Sequence, residues 1–217
     1  KAVGLNGRRG AILDLRTTDP DRARVRAAQY LAERLASFST TNGITLNVHV
    51  AGFAASYAGA GDWTALTPDT LETVKSRISA VGDDVQDYDT DYWNALEGAR
   101  QDLVDHDASG CRAVAWLSDG EYDLDMRDSG AGQDIGTDKP YAPGVRLDSE
   151  DGVAQAEQAG TADICRPTGV ADQLRSSGVT LLGLGLSDGG ADFTFMRRIV
   201  GGGGTNAAAN GVESCGD

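Results

Sequence analysis

Two stretches of this 217-residue chain are apolar almost without interruption. They are Arg112-Ala113-Val114-Ala115-Trp116-Leu117 and Val179-Thr180-Leu181-Leu182-Gly183-Leu184-Gly185-Leu186. A strand with one wet face alternates apolar and polar residues, whereas a strand covered on both faces reads as a near-continuous apolar run. Helical patterns separate the strand-like runs along the whole chain. Together these features predict an α/β fold: a doubly wound, mostly parallel central sheet with helices on both faces and one short antiparallel edge strand.

The order of elements supports that expectation. Gly10-Ala11-Ile12-Leu13-Asp14 reads as a short buried strand, and Asp19-Pro20 as a helix start with proline at the first helical position. Val25, Ala28, Leu31, Ala32, Leu35 and Phe38 then recur at helical spacing. Ile44 to Phe53 alternates as a strand, and Asp62–Leu66 reads as the edge strand. Thr67-Pro68 opens a helix carrying Leu71, Val74 and Ile78, and another begins near Thr90 with Tyr92, Leu96, Ala99 and Leu103 aligned. From about 121 to 164 the sequence is acidic, Gly-rich and weakly periodic, which marks a long insertion in a single domain spanning 1–217. Helices are expected again near 168–177 and 191–200.

Charge narrows the partners. A formal net charge of −14 repels nucleic acid and anionic membranes, and it is compatible with cation binding. No run approaches the length needed to cross a bilayer, so no direct membrane insertion is expected. No leader is visible in the first ten residues, and a mature fragment that had lost one would look the same. Three cysteines form no metal-type spacing. Cys165 in a loop and Cys215 in a Gly-rich tail suit a disulfide that staples the terminus, and hence an oxidising compartment; three unpaired cysteines are the alternative.

In parallel sheets ligands bind beyond the carboxyl ends of the strands. That rule puts Asp14 and Asp119, each at the end of an apolar strand, on one edge, with the helix at Thr90 opening toward it. Asp119-Gly120 alone is ordinary turn chemistry, and Thr90 is equally a helix N-cap. Asp89 and Asp91 read as helix-dipole and surface charges.

Several motifs, taken in order, resemble a von Willebrand factor type A domain of the bacterial secreted or surface-displayed kind. They are Ile12-Leu13-Asp14, Leu15 to Pro20, Asp89-Thr90-Asp91-Tyr92-Trp93-Asn94-Ala95-Leu96, Trp116-Leu117-Ser118-Asp119-Gly120-Glu121, and Ala171 to Val179. The resemblance implies a metal ion-dependent adhesion site. Asp14, Thr90 and Asp119 would be ligands of Mg²⁺, or of Mn²⁺ or Ca²⁺, and Thr18 the nearby hydroxyl. Hard cations of this kind take oxygen ligands and keep several waters, which leaves a place for a carboxylate. The implied partner is therefore a protein presenting Asp or Glu, and the implied role is non-enzymatic adhesion outside the cell.

The chain departs from that pattern after Asp14, where Leu15 follows at once and the Ser-Gly-Ser of the family is lacking. Either residues are absent from this sequence at that junction, or the site is degenerate, with Arg16 in the first serine's place. A degenerate site would make this a metal-free structural or interaction domain. A metal-dependent hydrolase is a third reading, with Glu121 or Asp123 as its base.

Overall fold

The structure, a computed structural model, describes residues 22–83, 89–106, 110–118, 121–126, 139–186 and 192–201. Two compact units emerge. The first holds 22–52 and 57–83, and the second holds 53–56 and the described residues from 89 onward.

The first unit opens with α1 (Ala23–Asn42), which buries Val25, Ala32, Ala36 and Ser39. Phe38, expected on the buried face, is 54% exposed. Its neighbour Ser39 takes the inward place because its hydroxyl donates to the Ile44 carbonyl at 2.5 Å, tying the helix end to the turn. Gly43 supplies the left-handed conformation (φ 63°) that ends α1. Four short strands follow: β1 (Asn47–Val48), β2 (Ala51–Phe53, its last residue in the second unit), β3 (Tyr57–Gly59) and β4 (Thr64–Ala65). The long strand expected over Ile44–Phe53 is split because its halves bond different partners. Leu46 accepts from Leu66 N (2.7 Å) and β1 pairs with β4, whereas Val50 accepts from Ala60 N (2.7 Å) beside the β2–β3 hairpin. Helix α2 (Leu71–Asp83) packs on α1. Ala32, Ala36, Leu66 and Val74 form their core, and Lys75 reaches Glu33 at 2.8 Å outside it.

The second unit contains α3 (Tyr92–Asp105), β5 (Arg112–Ser118), α4 (Glu150–Cys165), α5 (Val170–Ser176), β6 (Val179–Gly185) and α6 (Thr194–Gly201). β5 and β6 pair in parallel from Arg112↔Val179 to Ser118↔Gly185. α6 lies against β6 so closely that a Cβ on Gly183 would stand 2.9 Å from Met196 Cγ.

The central sheet differs from the expectation. The chain is α/β, but among the described residues its strands form three separate two-stranded sheets and no doubly wound parallel sheet. The apolar run over β6 misled because burial there alternates: Val179 and Leu181 are covered, while Leu182 and Leu184 are 50% and 42% exposed. The first expected strand, Gly10–Asp14, lies outside the described residues.

The acidic stretch 121–164 also holds more order than its periodicity suggests. α4 starts at Ser149, whose side chain accepts from Gly152 N, and it buries Gly152, Ala156, Gly160 and Ile164 at every fourth position. A stripe made mostly of glycine and alanine carries almost no hydropathy signal. Leu124, Ala142, Leu147 and Ala156 form a small core beside Tyr122 and Tyr141.

Candidate functional site

Four site residues were expected from the sequence. Asp14, Thr18 and Asp119 lie outside the described residues. Thr90 is half-buried just ahead of α3. Its backbone is fixed by a two-way bridge: Thr90 N donates to Asp123 O at 2.7 Å, and Asp123 N donates to Thr90 O at 3.4 Å. Asp123 follows β5, whose last residue is Ser118, so Thr90 is held by the chain leaving the carboxyl end of that strand. Loops after both parallel strands meet there too, since Glu121 Oε1 accepts from Asp192 N at 2.6 Å.

The residues flanking Thr90 are not the surface charges that the sequence suggested. Asp89 is 5% exposed and accepts from Asp125 N at 2.7 Å. Asp91 is fully buried and caps α3, accepting from Asn94 N at 3.1 Å. Its own N–H donates to Ala54 O. A buried carboxylate needs a compensating charge, and Lys139 supplies it, with Nζ 2.7 Å from Asp91 Oδ2. That oxygen is met as a charge contact; it accepts no hydrogen bond among the described residues. Lys139 Nζ also donates to Ala55 O at 2.8 Å, and Asn94 Nδ2 donates to the same oxygen.

Sequence reasoning missed Asp91 and Lys139 as a pair. Two signals were present: Asp91 stands three residues before Asn94 at the start of a helix, and Lys139 is the single lysine between Glu121 and Ile164.

Around this point the electrostatics are acidic. Glu157 Oε1 accepts from Leu124 N at 3.0 Å and faces Asp123. Burial, followed by their carboxylate neighbours, pushes both Asp123 and Glu157 above the usual carboxylate range. Tyr122 is pushed up as well, by burial first and then by Tyr141 and Asp91. Aromatic rings close the interior side, with Tyr92 against Trp116 at 4.6 Å, Tyr122 at 5.8 Å and Phe195 at 6.0 Å between centroids. Among the described residues no three His, Cys, Asp or Glu side chains form a group able to hold a metal ion. Cys111 is free and exposed. Cys165 ends α4, and Cys215 lies outside the described residues.

No protein-family model matches the chain, and neither a curated protein nor a solved structure matches it.

Proposed function

We propose that this chain is a non-enzymatic protein-binding module of the secreted or cell-surface kind, resembling a von Willebrand factor type A domain. In this reading a divalent cation is held by Thr90 together with Asp14, Thr18 and Asp119, and the partner is a protein offering an Asp or Glu side chain. The observation that carries it is the Thr90–Asp123 bridge, which keeps a hydroxyl donor beside the chain leaving β5. The residue types support it: hydroxyl and carboxylate oxygens are the ligands that Mg²⁺, Mn²⁺ and Ca²⁺ prefer. When bound, such an ion supplies a positive centre with room for one more carboxylate. The protein's own residues contribute rigidity, because Asp89, Thr90 and Asp91 are each fastened through their backbone or side chain.

The test is a titration of the full chain with Mg²⁺, followed by calorimetry. Millimolar Mg²⁺ raises Tm, and EDTA reverses the rise. A Tm that does not respond to Mg²⁺, Mn²⁺ or Ca²⁺ defeats the cation reading and leaves a metal-free interaction domain.

A further inference from the structure

The N-terminus of α3 brings an amine, a carboxamide and a carboxylate to one spot. Lys139 Nζ and Asn94 Nδ2 both donate to the carbonyl oxygen of Ala55, which holds the amine next to the amide. Asp91 Oδ2 lies 2.7 Å from Nζ, and the Lys139 and Asp91 side chains are 3% and 0% exposed. Asp91 also accepts from the Asn94 backbone N–H, so all three groups are oriented by one helix cap. Three components of an acyl-transfer site therefore converge, an amine and a carboxamide on one carbonyl acceptor and a carboxylate beside the amine to move its proton.

We propose that Lys139 and Asn94 condense into an intramolecular amide cross-link, with Asp91 relaying the proton. The Nζ–H proton passes to Asp91 Oδ2, and the freed lone pair attacks Asn94 Cγ to form the new C–N bond. Collapse of the tetrahedral adduct breaks the Cγ–Nδ2 bond, while Asp91 returns the first proton to the departing nitrogen, which leaves as ammonia, and takes up the second Nζ–H proton, so that a neutral amide is left beside a protonated Asp91 carboxyl. One C–N bond forms and one breaks, and nothing is oxidised or reduced. Burial matters twice: it holds the reacting groups together, and it shields the product amide from water. Asp91 serves as the relay rather than the acyl partner because Oδ1 is committed to the helix cap. The product fastens the return of the acidic stretch covalently to the start of α3. This inference is independent of the cation reading.

Intact mass of the purified, reduced full chain is the test. The expected value is below the sequence mass by one ammonia, in essentially all molecules after incubation at neutral pH. A protease digest then yields a branched peptide joining the segments that contain Asn94 and Lys139. Asn94→Ala and Lys139→Arg each return the mass to that of their sequence. An unmodified wild-type mass overturns the proposal without any variant having to fold. Loss of water in place of ammonia also overturns it, because that places the acyl group on Asp91. An ammonia loss that persists in Asn94→Ala does so too, since it then arises elsewhere in the chain.

Discussion

Gly160 lies directly under the hydroxyl of Tyr122: a Cβ added at Gly160 would overlap Tyr122 Oη and stand 2.9 Å from its Cζ. Two effects oppose each other at this position. Replacing an interior helical glycine by alanine normally gains about 1 kcal/mol. Overpacking a close contact costs about 1–3 kcal/mol, and Tyr122 cannot retreat because Tyr141 stands behind it with the two hydroxyls 3.4 Å apart. With an overlap this close the cost prevails, and Gly160→Ala destabilises the chain by up to about 2 kcal/mol net. Urea denaturation of the variant beside the wild type reads the sign, and a stabilised variant contradicts the packing.

Tyr122 should make the fold sensitive to alkali. Burial holds its phenol above the usual range, whereas in the unfolded chain it ionises near pH 10. The unfolded state then binds fewer protons than the folded one, so stability is complete below about pH 10 and falls above it. One such group contributes a slope of about 1.4 kcal/mol per pH unit. Tyr122→Phe should lose that share of the alkaline slope, as measured by denaturation at several pH values. Identical slopes in the two proteins would show that the phenol ionises freely in the folded state.

Lys139 compensates a carboxylate with no access to water. In an Asn94→Ala background, where Lys139 keeps its charge, Lys139→Met should cost about 3–5 kcal/mol, because it strands the Asp91 charge inside. Adding Asp91→Asn should recover part of the loss, since an amide can still cap α3 without leaving a charge. A double-mutant cycle by thermal denaturation gives the coupling, and additive losses would mean that the ion pair contributes nothing.

For the cation reading, the informative contrast is between two substitutions of Thr90. Thr90→Ser retains the hydroxyl, and Thr90→Val keeps the shape without it. The serine variant should preserve the Mg²⁺-dependent rise in Tm. That rise corresponds to about 2.7 kcal/mol when free Mg²⁺ is a hundredfold above Kd. In the valine variant most of it should vanish. Equal responses in calorimetry would remove Thr90 from the ligand set.

The cysteines offer a check on the proposed compartment. Digestion without reductant should release a Cys165–Cys215 peptide, and reduction should lower Tm. Closing a loop of this length is worth about 3–4 kcal/mol in the chain-entropy description. Cys111→Ser should change neither result, because that thiol is free and exposed.

Helix α3 was the most legible element, since Tyr92, Leu96 and Leu103 are buried as their spacing requires. β5 and β6 were legible as strands, and so was their parallel relationship. Their surroundings were not, because Leu182 and Leu184 count as apolar in the sequence whichever face is covered. α4 was hidden for the opposite reason: its inward stripe is largely glycine and alanine, chosen for close approach rather than hydropathy. Of the expected site, only Thr90 can be located among the described residues. Asp91 was misread because charged residues are rarely buried unless paired, and its partner lies far along the chain in a stretch with little pattern.

The clasp at the start of α3 has a consequence for how this protein can vary. The acidic stretch is gripped at Asp123, through Thr90, and again at Lys139, through Asp91. Thr90 and Asp91 are adjacent, so two neighbouring residues at one helix start hold two separate points of the chain. A substitution at either of these neighbours therefore loosens a distant part of the chain as well as the helix start, which makes the pair far less open to exchange than the exposed positions further along α3.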